Sequence, residues 1–470
     1  MSDFETFKSS FKGDLLTPDS PGYDQAIARW AKNAARRAAV VAFVKDADDV
    51  SKAIQYARQA KLPIAIKGGG HNPSGASSSE GGLVIDLSKY LNDAKIDPEK
   101  KLAYVGGGAL WETVDKAAIQ HGLATVGGTV NHAADVPVSL VLGGGYGWLS
   151  AAYGLAIDNL AQATVVTADG AIRTANESEN ADLFWGIRGA GSNFGVVTEF
   201  VLKLHPQRRT VFAGLAIFSP DKLEALLDVT QQWWDKGPSE KEGMIQAFTR
   251  GPDRQPCIVC FIFYNGTEEE GRQNYKAFFD LKPVADMCKE MPYEELNTLQ
   301  NAVATPGQNA YMKGAFAPQP FPRTLLPRVF ARLVALSAPA AHTVALLTEY
   351  FPLRAVNAVR DDATAYRRGL APNVLCVVYA REDGERAWAY ARDVARELTG
   401  MFAVGAGAGD ELGYGNYSPD SDALPMEGSV PADKAKVLFG SNYPRLQQLK
   451  AKYDPERVFN KWFAITPLPA

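Results

Sequence analysis

Short apolar runs alternate with helical periodicity through the first half of this 470-residue chain. Ala39-Val40-Val41-Ala42-Phe43-Val44 predicts a strand. From Asp46 to Ala60, the spacing of Val50, Ile54 and Ala57 predicts a helix with one buried face, and Asp48 and Asp49 suit its positive end. Pro63–Ile66 predicts the next strand, Leu83–Leu87 and Leu102–Gly108 two more, and Leu110–Gln120 a helix capped at Gly122. Ala163–Arg173 predicts a hairpin turning on Asp169-Gly170. The first 33 residues predict a helical lead-in.

After His205-Pro206 the pattern changes. Strand-like runs (Thr210–Phe218, Cys257–Tyr264) alternate with helix-like ones (Asp221–Trp234, Glu268–Phe279). From residue 208 to about 400 this predicts a second domain, an antiparallel sheet backed by helices. The fold class expected is α+β, not a regular doubly wound sheet.

Length agrees with two domains, and an apolar fraction of 46% with a globular protein. A formal charge of −4 gives no support to nucleic acid or an anionic membrane as partner. No apolar run reaches the ~20 residues that span a bilayer. Met1–Lys8 lacks the basic and apolar regions of a signal peptide, so an intracellular location is expected unless a leader has been removed. Four cysteines are present, and Cys257-x-x-Cys260 falls on a strand, where the two side chains face opposite sides. No metal is expected. The sequence does not set an oligomeric state.

Candidate chemistry gathers on three glycine-dense turns. Lys67-Gly68-Gly69-Gly70-His71-Asn72-Pro73-Ser74-Gly75 follows the third strand directly. Bare glycines let backbone N–H groups approach a pyrophosphate, and a histidine stands beside it. The motif is neither a P-loop nor a G-x-G-x-x-G turn. Gly143-Gly144-Gly145-Tyr146-Gly147, leading to Asp158-Asn159, forms the second cluster. The third is Trp185-Gly186-Ile187-Arg188-Gly189-Ala190-Gly191-Ser192-Asn193-Phe194-Gly195-Val196-Val197-Thr198.

Taken in order with Tyr414-Gly415-Asn416-Tyr417, Asn442-Tyr443-Pro444-Arg445-Leu446 and Lys452-Tyr453-Asp454-Pro455, these motifs resemble the berberine-bridge-enzyme-like FAD-linked oxidases. That group lies within the vanillyl-alcohol-oxidase superfamily, with its PCMH-type FAD-binding fold. The resemblance covers nearly the whole chain. It implies an FAD-binding domain at 34–207, a substrate domain at 208–438 and a C-terminal segment, 439–470, that returns to the first. It also implies FAD as cofactor, with contacts from Lys67, Gly68, Gly69, Gly70, His71, Asn72, Ser74, Gly75, Gly128, Thr129, Val130, His132, Gly143, Gly144, Gly145, Gly147, Asp158, Asn159, Gly195, Val197, Tyr414 and Asn416.

In the family the histidine at His71 bonds covalently to the flavin 8α-methyl carbon; a neutral imidazole, with an unperturbed pKa of about 6.5, is nucleophilic. Many members add a cysteine link before the second glycine cluster. No cysteine precedes Cys257, so a single link through His71 is expected. Counting back from Gly143 puts His132 at the cysteine position, and counting forward from Gly127 puts Val130 there. Ala133–Ser139 replaces the glycine-rich stretch usual at the oxygen-reacting edge.

The resemblance makes Tyr146 and Tyr417 the candidate bases, with Tyr414 over the flavin. A tyrosine with a pKa of about 10 needs a cation or hydrogen bonds to work at neutral pH, and Lys461 and Arg188 are candidates. His132 either moves a proton at the flavin edge or is satisfied by loop carbonyls. Phe261, Phe263, Tyr311, Phe316, Glu349, Tyr350 and Tyr379 are pocket candidates, and Glu349 either faces solvent or lines a cavity. The expected reaction takes hydride from a C–H bearing an alcohol (sugar, phenolic alcohol or secondary metabolite), with O2 as acceptor. The alternative is a dehydrogenase or oxidative cyclase with poor O2 reactivity.

Overall fold

The computed structural model describes residues 3–131, 140–319, 323–403, 413–418 and 434–469. In the first half two sheets enclose the helix Ala47–Gln59, which touches both. Its start is set by Asp46, whose side chain accepts from the Asp49 amide. One sheet runs Asp14–Leu16, Val40–Phe43, Leu83–Asp86, Ile64–Lys67, the last three parallel to one another. The other is antiparallel: Ala94–Asp97, Leu102–Gly106, Val196–Lys203, Leu160–Val166, Ile172–Asn176. Parallel pairing at Ile64–Lys67 delivers the chain into the first glycine loop from the end of a buried strand.

The lead-in is less helical than its pattern implies. Helices Asp3–Ser10 and Tyr23–Ile27 flank the strand Asp14–Leu16, because Pro18, Pro21 and Gly22 break the helical run. Likewise the helix expected over 268–279 divides at Tyr275, whose hydroxyl donates to the Gly243 and Phe263 carbonyls.

The second half is built on an eight-stranded antiparallel sheet. Its order is Ala285–Asp286, Thr210–Phe218, Pro256–Tyr264, Glu242–Arg250, His342–Tyr350, Asn373–Ala380, Asn309–Phe316, with Lys289–Pro292 also on Thr210–Phe218. Strand alternation divides its residues between two cores. Phe212, Ile262, Leu346 and Val378 pack against the helices Leu223–Asp235, Leu325–Leu336 and Glu385–Gly400. Val211, Ala213, Ile245, Phe261 and Phe263 join the core of the first half. That face carries Glu349 and Gly314, and the site forms there.

The helix Tyr443–Tyr453 closes back on the glycine clusters. Lys450 is fully buried, and its three protons go to the Asn193 carbonyl, Asp454 and the Phe459 carbonyl. The Asn193 side chain donates to the Trp462 carbonyl and accepts from the Ile465 amide. No helix among the described residues is long and apolar enough to cross a membrane.

Candidate active site

The first glycine loop keeps its donors open. The Gly68 and Gly69 amides have no acceptor among the described residues. The Ser77 and Ser78 hydroxyls are buried and equally unpartnered. Asn72 shapes the turn, its Oδ1 accepting from the Ser74 amide and hydroxyl at 3.0 and 2.5 Å. Gly70 and Gly75 take left-handed φ of +72° and +93°, which their bare backbones allow. Lys67 does not reach outward: its ammonium lies 2.8 Å from the buried Asp86 carboxylate. His71 is half-buried and stacks on Trp30, centroids 5.4 Å apart.

A second set of unmatched groups borders Gly127–Val130. Trp111 Nε1 and Thr125 Oγ1 are buried without partners. A Cβ on Gly128 would lie 3.4 Å from Trp111 Nε1. Thr129 is fixed from the other half of the protein, its carbonyl and hydroxyl accepting from Gln300 at 3.1 and 2.9 Å. Val130 is half-buried beside it, and His132 lies outside the described residues, as does Ala133–Ser139.

The later glycines are bare for a different reason: other parts of the protein occupy the space. A side chain on Gly147 would strike the Gly127 carbonyl, and one on Gly143 would strike the Asn416 amide. Gly144, at φ +121°, and Gly189, at φ +128°, both make way for Tyr366. Gly195 and Val197 stand at the start of a buried strand. Asp158 is held by Arg368, at 3.0 and 2.6 Å, and caps the Leu155 amide. Asn159 donates to the Tyr153 and Leu155 carbonyls and contacts His205. The side chains of Asp158 and Asn159 are thus committed to the protein itself.

Tyr146, Tyr414, Tyr417 and Asn416 come together, as their motifs suggest, and Tyr366 and Glu349 join them. Tyr414 is central, edge-to-face with Tyr146 at 5.1 Å, Tyr417 at 4.9 Å and Tyr366 at 6.4 Å. Its hydroxyl accepts from the Gly145 amide at 2.9 Å and from Asn416 Nδ2 at 2.7 Å. The Tyr417 hydroxyl donates to Glu349 Oε1 at 2.6 Å, and Asn373 Nδ2 donates to Glu349 Oε2 at 2.9 Å. Glu349 is buried, which rules out the solvent-facing alternative its strand left open.

These contacts correct the expected electrostatics. Arg188 spends its guanidinium on the Phe184 and Ala363 carbonyls. Burial drives Tyr146, Tyr366, Tyr414 and Tyr417 above the ordinary phenol range, and Glu349 pushes Tyr417 further the same way. Burial also raises Glu349, against the opposing bonds from Tyr417 and Asn373. The cluster therefore holds neutral phenols around one carboxyl group.

Pattern reading missed Tyr366. It sits in Asp361–Arg368, a loop with no periodicity, and only the packing against Gly144 and Gly189 reveals it. The other pocket candidates separate by face: Phe261 and Phe263 join the core shared with the first half, whereas Tyr311 and Tyr350 belong to the helix side. Tyr379 meets Trp30 edge-on at 6.3 Å. Ala310 packs in the Trp30 cluster, and Gly314 lies against Tyr417. The two positions are four residues apart on one face of a strand, about 13 Å. His71 and Tyr417 thus mark two ends of that face.

A flavin dinucleotide needs donors for its pyrophosphate and mixed hydrogen-bonding groups for its ring. The open Gly68 and Gly69 amides with Ser77 and Ser78 meet the first need. Trp111, Thr125 and the unpartnered Asn416 Oδ1 meet the second. The residues fit FAD, and among those described no cluster of His, Cys, Asp and Glu suits a metal.

Fold and site together define an FAD-dependent oxidoreductase. Residues 38–176 match the FAD binding domain model, and residues 426–465 the berberine and berberine like model. The chain is 32% identical to the FAD-linked oxidoreductase pgmH of Aspergillus terreus, over 99% of this chain and 96% of that one. It is 37% identical to the (R)-6-hydroxynicotine oxidase of Paenarthrobacter nicotinovorans, over 97% of each. The glucooligosaccharide oxidase of Acremonium strictum, described with 6-S-cysteinyl, 8α-N1-histidyl FAD, shares the fold at a TM-score of 0.86, with 21% identity and full coverage of both chains. The chain belongs to the berberine-bridge-like family of FAD-linked oxidoreductases, and its fold is the PCMH-type one.

Proposed function

We propose that the protein is an FAD-dependent oxidase acting on a C–H that bears a hydroxyl, with O2 as electron acceptor and H2O2 as product. The observation that carries this reading is the Tyr417–Glu349 bond at 2.6 Å, set among Tyr146, Tyr366 and Tyr414. In this reading residues 34–207 hold the cofactor, 208–438 wall the substrate, and 439–470 close back on the first, with 1–33 leading in. FAD is held by the loop from Gly68 to Ser78 and by Gly128–Val130, and covalently through His71 alone. The histidyl link in the Acremonium relative and the lack of any cysteine before Cys257 support that single bond. Bound FAD supplies the two-electron chemistry, taking hydride from the substrate carbon.

The chain's own part is to orient the substrate and accept its proton. Tyr417 takes the proton of the substrate hydroxyl as it gives its own to Glu349 Oε1. A carboxyl raised by burial is better matched to a hydroxyl proton than an exposed one. Tyr146 stays protonated, because burial raises it, and so serves as a donor.

A second reading, a dehydrogenase or oxidative cyclase with poor O2 reactivity, is favoured by the departure of Ala133–Ser139 from the family's glycine-rich pattern. Mixing the substrate-reduced enzyme with air separates the two: flavin colour returning within seconds supports the oxidase, and flavin still colourless after minutes contradicts it. Acid precipitation and centrifugation test the link, since a yellow pellet is expected and a colourless one refutes a bond at His71.

A further inference from the structure

Tyr366 reaches the phenol cluster from outside every motif that defines it. Its ring Cε2 stands 2.6 Å from where a Cβ on Gly144 would lie, and its backbone fills the space beside Gly189. Two glycines in separate clusters are therefore kept bare for one residue, Gly144 for its ring and Gly189 for its backbone. The loop that carries it is clamped along its length. Trp185 Nε1 donates to the Asp362 carbonyl at 2.8 Å, and the Tyr366 amide donates to the Arg188 carbonyl at 3.2 Å. Asn442 Nδ2 donates to the Asp361 carbonyl at 2.9 Å. Arg368, only 2% exposed at its side chain, forms a two-pronged ion pair with Asp158.

The hydrogen-bond order at the tip gives this placement a use. Tyr366 Oη donates to Tyr146 Oη at 3.3 Å. The proton of Tyr146 then has no acceptor among the described residues. That of Tyr414, whose oxygen accepts twice, has none among them either. Asn416 Oδ1 is unpartnered as well. Opposite them stands the Tyr417–Glu349 pair. A sugar ring would bring more hydroxyls than these groups, the free ones among the described residues, can satisfy, and each one left unpaired and buried weakens binding. A flat aromatic ring with one oxygen suits walls made of phenols, which pack well edge-to-face.

We infer that Tyr366 is a positioning residue of the substrate pocket: by donating to Tyr146 it fixes Tyr146 as a hydrogen-bond donor to an oxygen on an aromatic substrate. The inference rests on the function proposed above for its choice of pocket, and deepens it to a substrate class. Arg368 and Asp158 act through Tyr366 by holding its loop.

Phenol and xylobiose are the probes, titrated separately into the wild-type holoenzyme and Y366F and followed by flavin fluorescence. Phenol is expected to saturate the wild type, and Y366F to bind it roughly tenfold more weakly, the worth of one hydrogen bond. Flavin content and melting temperature should be unchanged, a combination that a merely structural role would not give. Xylobiose should leave the signal flat. D158N is expected to weaken phenol binding in the same direction, with a lowered melting temperature. Equal phenol affinity in wild type and Y366F overturns the inference. So does saturation by xylobiose but not phenol, or loss of flavin in Y366F. If phenol binds through Tyr366 yet no alcohol bleaches the flavin, the proposed function fails while the placement of Tyr366 stands.

Discussion

The Tyr417 hydroxyl lies 2.6 Å from Glu349 Oε1, joining a C-terminal motif to the end of a strand 68 residues earlier. Neither residue has a cation beside it in the described structure, so in the proposed function the pair would act as a proton path and not as an activated phenolate. Substituting Y417F breaks that path but keeps the ring against Tyr414. The expected result is a fall in kcat of about 10²–10⁴-fold, the usual size of a lost acid–base step, with flavin content unchanged. Steady-state kinetics on any turned-over alcohol checks it.

Glu349 also sets the direction of the pH response. Burial raises its folded-state pKa above the ordinary carboxyl range, so activity that needs the carboxylate should rise with pH through that raised value. In Y417F the rising limb should move toward higher pH, because the Tyr417 hydroxyl's bond to the carboxylate, which opposes the rise caused by burial, is lost. A kcat–pH profile of the two enzymes is the measurement, and superimposable limbs would remove Glu349 from the path.

Asp115 gives a stability effect with a definite sign. It is buried in the helix Trp111–Ile119, accepts from Asn297 Nδ2 at 2.8 Å, and is pushed up to about 7 by burial. The unfolded chain loses this proton near pH 4, whereas the folded protein keeps it until about 7, so the folded state binds more protons in between. Stability from this group is therefore full at low pH and declines as pH rises from about 4 through 7, by on the order of 4 kcal/mol at most. D115N should flatten that decline and melt higher than wild type at pH 8, since the new amide can donate to the unpartnered Asn297 Oδ1. Thermal unfolding across pH decides it.

Gly144 and Gly189 should differ in tolerance. Both φ values are left-handed, which costs alanine roughly 1–3 kcal/mol. At Gly144 the new methyl meets the edge of a ring, which can turn; at Gly189 it meets Tyr366 backbone, which cannot. G189A is expected to melt several degrees below G144A, and both below wild type. Equal melting would mean that Tyr366 is not seated as described.

Breaking the Arg368–Asp158 pair with R368M leaves Asp158 nearly buried and unpaired. A loss of roughly 3–5 kcal/mol is expected in chemical unfolding. A loss under about 1 kcal/mol, typical of a surface pair, would contradict the clamp.

Much of this was legible along the chain. Helix Ala47–Gln59 and the parallel strand before Gly68 follow from periodicity, and the three glycine clusters with Tyr414–Tyr417 carry the family. What stayed hidden depends on contacts between distant residues. Tyr366 lies in an irregular loop whose importance is written on Gly144 and Gly189, more than 170 residues away in each case. Glu349 looked either exposed or cavity-lining, because alternation tells which residues share a face but not what that face meets. Nor did the sequence show that Asp158 pairs with Arg368, or Lys67 with Asp86.

The account turns on Glu349 receiving the substrate's proton, and rapid anaerobic mixing of the FAD-loaded enzyme with an alcohol it oxidises tests this most directly. Flavin bleaching in E349Q, which keeps the size of the side chain and loses only its basicity, should be about 10²–10⁴-fold slower than in wild type. Bleaching of E349Q at the wild-type rate would contradict it.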